Sequence, residues 1–270
     1  KNMTDGWLRL TTHQLDIYDE QLAKVQFLEH FEHLFNDLNS GTSAINELPT
    51  AFDYIRLGHP LSCVLEWVIA RLNSLDPNNI ISFSSKTIPV LAILRANLLE
   101  GKETLITYSG ELPGALDLHI LRNVYGYTFD LKYVNNVSEI PAFHGSTIFI
   151  TQQEDLYTLD LTPSIDFFIT IHPHTGSVLS VNGTHNERYI SDIQHVRRRE
   201  SIAMTPANCL ATLRNLNKTA SREMDRNGFE THKAQVLETI KSITGTPTNA
   251  VIESSGLSIQ YAILMGLIHD

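Results

Sequence analysis

His172 and His174 form an H-x-H pair with His185 close behind, in a chain that carries 12 histidines among its 270 residues. Alternating residues near a strand end can bring two imidazoles to one ion such as zinc. A third ligand and a carboxylate to orient the rings cannot be placed, so the spacing reads as adventitious and no metal is expected. Ser84-Ser85 offers two hydroxyls, yet no G-x-S-x-G elbow surrounds them and no histidine or acid is spaced as a triad partner. Glycine-rich nucleotide loops are absent. Arg197-Arg198-Arg199 is the only basic cluster; followed by Glu200 in an expected helix, it reads as a solvated helix face.

With 30 acidic against 20 basic residues the formal net charge is −10, and a field of that sign repels phosphate backbones. Nucleic acid is therefore not expected as a partner. Neither is a membrane: no run approaches the roughly 18 apolar residues of a span, and neither terminus reads as a signal peptide. Cys63 and Cys209 are too few for a disulfide framework and read as reduced thiols, so the expected location is cytoplasmic. The sequons at 136–138 and 182–184 are expected by chance in an Asn-rich chain. A composition 42% hydrophobic can bury a full core.

Candidate groups need elements to hold them. Over 11–39, apolar residues recur at helical spacing (Leu15, Tyr18, Leu22, Val25, Leu28, Phe31, Phe35), with Thr12 as a possible cap. This predicts an amphipathic arm ended by Asn39-Ser40-Gly41-Thr42-Ser43 and a loop to Tyr54. From Ser62 onward helices alternate with short apolar strands: helix 62–74, strand 80–84, helix 87–99, strand 104–108, helix 112–125, strand 129–134. Strands 147–151 and 166–171 follow, then helices 185–199, 206–224 and 227–243. That alternation predicts an α/β fold with a mostly parallel sheet flanked by helices.

Six stretches carry a family resemblance. The run 54–72, from Tyr54-Ile55-Arg56-Leu57-Gly58-His59-Pro60 to Ala70-Arg71-Leu72, resembles Y-S-R-x-G-N-P-T-x-x-x-L-E-x-x-I-A-x-L without a gap. Ser82–Pro89 falls where S-S-G-M-A-A stands, 98–103 resembles L-x-x-G-D, and Tyr108-Ser109-Gly110-Glu111 resembles Y-G-G-T. The run 165–176 resembles A-D-I-V-V-H-S-A-T-K-Y-I-G, and Arg214, Leu216, Lys218-Thr219, Arg222 and Met224 resemble R-G-L-K-T-L-x-L-R-M. These belong to the cystathionine γ-synthase and β-lyase family of pyridoxal-phosphate (PLP) enzymes. The chain resembles that family over about 50–245, as a degenerate and truncated member.

The resemblance implies a PLP-transferase fold of type I, with an N-terminal helical arm (1–52), an α/β large domain (53–205), and a helical linker with a remnant of a truncated C-terminal domain (206–270). It also implies a dimer. His174 stands where the family has its catalytic lysine, and a histidine cannot form a Schiff base, which needs a primary amine. Tyr54 and Arg56 match phosphate ligands that each subunit lends its neighbour, Tyr108 matches the ring that stacks on PLP, and Ser85 and Lys86 lie in the phosphate loop, Lys86 replacing a glycine. The V-D-N-T stretch, whose aspartate pairs with the PLP ring nitrogen, is missing; 151–155 matches either it or E-S-P-x-N-P. The carboxylate-binding arginine also has no counterpart. The expectation is a catalytically inactive subunit with no cofactor of its own, in a homodimer or paired with an active PLP-dependent relative. The alternative is an enzyme of sulfur amino-acid or amino-sugar metabolism, holding PLP or its amine form noncovalently with His174 as general base.

Overall fold

The structure, a computed structural model, describes residues 20–38, 41–52, 54–153, 156–217, 229–245 and 256–269. Helix α1 (Glu20–Asn36) and a short helix α2 (Thr42–Asn46) lead to α3 (Pro60–Leu72). Strand β1 (Ile80–Phe83), α4 (Ile88–Glu100), β2 (Thr104–Ser109), α5 (Leu118–Asn123) and β3 (Asp130–Tyr133) alternate as the apolar pattern requires. Strands β4 (Ser146–Thr151), β5 (Phe167–His172) and β6 (Gly176–Val181) follow, then α6 (Tyr189–Glu200), α7 (Pro206–Leu216), α8 (Phe229–Thr244) and α9 (Gly256–His269).

The six strands form one sheet in the order β1-β6-β5-β4-β2-β3. Strands β2, β3, β4 and β5 are mutually parallel, and β6 is antiparallel to both β5 and β1. Five strands thus share one direction. Because side chains alternate along each strand, the sheet presents two apolar faces. Ile81, Phe83, Ile106, Ile148, Ile150, Phe167 and Ile169 pack with Ile93 of α4 and Ile193 of α6. Ile80, Phe149, Phe168 and Val178 pack with Leu65 and Ile69 of α3 and Cys209 of α7. Both faces are covered, as a largely parallel sheet requires.

Helix α1 adds a third cluster, in which Phe27 and Leu28 meet Phe52, Leu57, Cys63 and Trp67. Phe31 and Phe35 set their rings edge-on to Trp67, at 5.3 and 5.1 Å between centroids. The expected apolar stripe of the arm is therefore spent on α3. Leu15, Tyr18 and Thr12 lie outside the described residues, as do 218–224 of the helix expected over 206–224.

Four elements differ from expectation, one of them α9, since no helix was expected beyond 243. The segment expected as a loop holds α2, and the helix expected over 112–125 is confined to Leu118–Asn123, where Asp117 caps the start through its bonds to the amides of His119 and Ile120. Strand β6, not anticipated, follows β5 through the three-residue turn 173–175, with His172 paired to Gly176. The structure also corrects the reading of 197–199 as a solvated face. Arg197 is fully buried against Glu66 at 3.0 Å, because α6 lies on the sheet and must turn one residue of any three-residue run inward.

Candidate functional site

In an open α/β sheet a crevice forms beyond the carboxyl ends of the strands, where the strand order reverses. Here β2 has β3 on one side and β4 on the other, so that point lies between β2 and β4. Ser109 donates its hydroxyl to Thr151 Oγ1 at 3.0 Å, and Gln152 donates to the Glu111 carbonyl at 2.8 Å, so hydrogen bonds tie the two strand ends together. Tyr108, next to this point, sets its ring edge-on to Tyr133, 5.5 Å away. Gln153 donates to the Thr158 carbonyl at 3.3 Å, and residues 154 and 155 lie outside the described residues.

The loop from β1 into α4 carries Ser85 and Lys86 at this same end. Ser85 Oγ accepts the amides of Thr87 (3.2 Å) and Ile88 (3.1 Å), capping the first turn that Pro89 helps to set. Two of the amide groups that could cradle an anion are thereby engaged. Ser177 of β6 donates to the Ser85 carbonyl at 2.6 Å, holding the loop against the sheet, and Lys86 is half-buried beside it.

His174 sits at the exposed tip of the β5–β6 turn, and Asn208 of α7 anchors that turn by donating to the Thr175 carbonyl at 3.0 Å. Gly176 ends it at φ +124°, and a Cβ there would lie 2.0 Å from the Phe83 carbonyl oxygen. Only glycine fits between the strands. His172 is buried on β5, whereas His185 contacts Asp166 at 3.2 Å beyond the other end of that strand. His185 and His174 are thus separated by roughly 20 Å of strand. Among the described residues no group of three or more histidine, cysteine or acidic side chains could hold a metal ion.

Tyr54 and Arg56 reach this end through backbone pairing. Ala203 N–H donates to the Arg56 carbonyl at 2.9 Å, and Ser84 N–H donates to the Ile202 carbonyl at 3.2 Å, so 202–203 bridges the Arg56 segment and the Ser84 loop. The Arg56 guanidinium lies over the Tyr54 ring at 4.6 Å, and that of Arg198 stands 5.8 Å from the same ring. Arg198 was not among the expected site residues. Its signal was its place one residue past a buried position on α6, which turns it to the flank of that helix.

His59, beside this segment, is an N-cap: its Nδ1 accepts the Ser62 amide at 3.2 Å, Ser62 Oγ returns the bond, and its Nε2 meets the Met204 carbonyl at 2.8 Å. His59 therefore joins α3 to the segment entering α7.

These residues do not fit a covalently held PLP. The turn presents an imidazole at the position expected for the lysine, and Ser85 engages two amides of the loop expected to hold the phosphate. What the arrangement does present is a half-buried aromatic–guanidinium cluster, Tyr54 with Arg56 and Arg198, suited to a phosphate or carboxylate.

No family model matches the chain, and no curated protein matches it. Solved structures similar to it include MetB from Corynebacterium glutamicum (16% identity, TM-score 0.43, covering 77% of this chain and 62% of that one) and cystathionine γ-lyase from Lactobacillus plantarum complexed with L-serine (12%, 0.41, 73% and 59%). Another is a putative L-allo-threonine aldolase from Listeria monocytogenes EGD-E (11%, 0.43, 83% and 75%). The chain spans about three fifths of the length of the first two.

Proposed function

We propose that this chain is a PLP-enzyme-like protein without chemistry of its own, acting as a structural or regulatory subunit that lends Tyr54 and Arg56 to the site of a catalytic relative. The observation that carries this reading is His174 in place of the expected lysine, at the exposed tip of a turn. A general base works at a reaction centre that excludes water, and an exposed turn tip supplies no such enclosure, which weighs against the alternative with His174 as base. The order and spacing of the family-like stretches over 50–245 support the fold assignment. Support for the lending role comes from Arg56 and Tyr54, which form a preformed cation–aromatic pair.

Two measurements test the reading. Borohydride reduction of protein incubated with PLP, followed by intact mass and peptide mapping, is expected to show no pyridoxyl adduct on 165–180 or on Lys86; an adduct at either place overturns it. In a complex co-purified with a lysine-bearing relative, Arg56→Ala is expected to lower cofactor occupancy in the partner, since a charge-assisted contact is worth about 1.5–3 kcal/mol. Equal occupancy, or a chain that stays monomeric in sedimentation with and without the relative, removes the lending role.

A further inference from the structure

Strand β1 is an edge of the sheet: β6 pairs with one side, and among the described residues no strand pairs with the other. An edge strand exposes alternate backbone groups, here those of Ile80 and Ser82, since Ile81 and Phe83 point their amides toward β6. The Ile80 amide turns back to the Pro77 carbonyl, and the other bonds to that outer side among the described residues come from ionised side chains. Lys24 of α1 donates to the Ile80 carbonyl at 3.1 Å and to the Pro77 carbonyl at 2.6 Å. Arg197 of α6 donates to the Ser82 carbonyl at 3.1 Å, and Glu66 Oε1 of α3 accepts both the Ser82 amide and its hydroxyl at 2.8 Å. The three side chains also pair with one another, Lys24–Glu66 at 2.6 Å and Arg197–Glu66 at 3.0 Å, and all three are fully buried.

Buried charges are costly, and an apolar cluster of the same volume is often as stable. The cost is understandable if these groups do what apolar side chains cannot, which is to bond backbone amides and carbonyls. We infer that Lys24, Glu66 and Arg197 stand in for a neighbouring strand, making α1 a charge-latched strap that closes the β1 edge and can lift without the rest of the sheet unfolding. Helix α1 suits this role, because it meets the body through one face, Lys24, Phe27, Leu28 and Phe31, while Glu29, His30 and His33 are exposed. The latch holds two cations and one anion, an excess of one positive charge faced by the carbonyls of Pro77, Ile80 and Ser82.

Residue-resolved hydrogen exchange on the full chain tests this without any substitution. The outward amide of Ser82 is expected to be protected within about tenfold of Ile81 and Phe83; exchange more than about a hundredfold faster than theirs overturns the inference. Variants then test the charge logic. Lys24→Met is expected to speed Ser82 exchange at least tenfold while Ile169, in the sheet centre, is unchanged. Glu66→Gln, which leaves two buried cations and no anion, is expected to speed it further. The double variant restores the cluster to one net positive charge and is expected to exchange more slowly than Glu66→Gln alone. Additive effects, or acceleration spread equally to Ile169, would show a packing role with no separable strap.

Discussion

The His59 ring satisfies both of its neighbours only when neutral, because Nδ1 must accept the Ser62 amide while Nε2 donates to the Met204 carbonyl. Burial depresses its pKa below the ordinary 6.5, and the Met204 bond and the Glu66 charge offset only part of that. The unfolded chain therefore binds a proton at a higher pH than the folded one. Stability from this group is complete above about pH 6.5 and declines as pH falls through the lowered folded value. Urea titrations of His59→Asn, which keeps a capping side chain, should show a flatter decline between pH 6.5 and 5 than the parent. His59→Ala should lose about 1 kcal/mol for the cap, and about 1–3 kcal/mol more for the Met204 carbonyl if no water replaces the ring. At this scale the sequence was only partly legible. A polar residue before Pro60, with Ser62 three places on, is a capping-box spacing, although nothing in it marks the contact with the Met204 carbonyl. Lys24, Glu66 and Arg197 gave no sign of their meeting, since 42 and 131 residues separate them and the basic run 197–199 reads as a solvated helix face.

Among elements, the parallel strands and the helices that flank the sheet were mostly legible because each buries an apolar stripe or run, whereas α2 and α9 were not expected and the helix expected over 112–125 is only Leu118–Asn123. Strand β6 was not expected although its signs are present: Pro173 and Gly176 bracket a short turn, and the largely apolar run Ser177-Val178-Leu179-Ser180-Val181 follows. Gly176 is the residue that makes the turn, and its requirement is steric as well as conformational. Gly176→Ala places a methyl against the Phe83 carbonyl, so β1 and β6 must part; Gly101→Ala, at φ +65° with open space around it, meets only the left-handed penalty. Thermal unfolding should show about 1–2 kcal/mol lost for Gly101→Ala and clearly more, about 3 kcal/mol or above, for Gly176→Ala. Similar losses at both positions would mean that the turn adjusts without strand separation.

For the whole molecule, two acid transitions of different origin should separate. The chain has a net charge of −10 near neutrality and a pI of about 5.6, where self-repulsion vanishes. The latch is still intact at that pH. Burial pushes the Glu66 carboxyl up, but Lys24, Arg197 and the Ser82 amide together hold it below the ordinary 4.5. A depressed carboxylate contributes stability that is present above the unfolded value and lost only as pH falls through the folded one. Association near pH 5.6 should therefore involve folded chains and reverse on return to pH 7, with an unchanged near-ultraviolet circular dichroism spectrum. Well below pH 4.5 the Glu66 proton leaves two buried cations without an anion, α1 lifts, and the β1 edge opens. Association there should bring a rise in thioflavin fluorescence and fail to reverse on neutralisation, because paired edges release slowly. Added salt should oppose neither step strongly: the first is already free of net repulsion, and the second begins at a cluster buried from the ions. Irreversible, thioflavin-positive association at pH 5.6 would place the opening above the Glu66 transition and assign it to His59 instead.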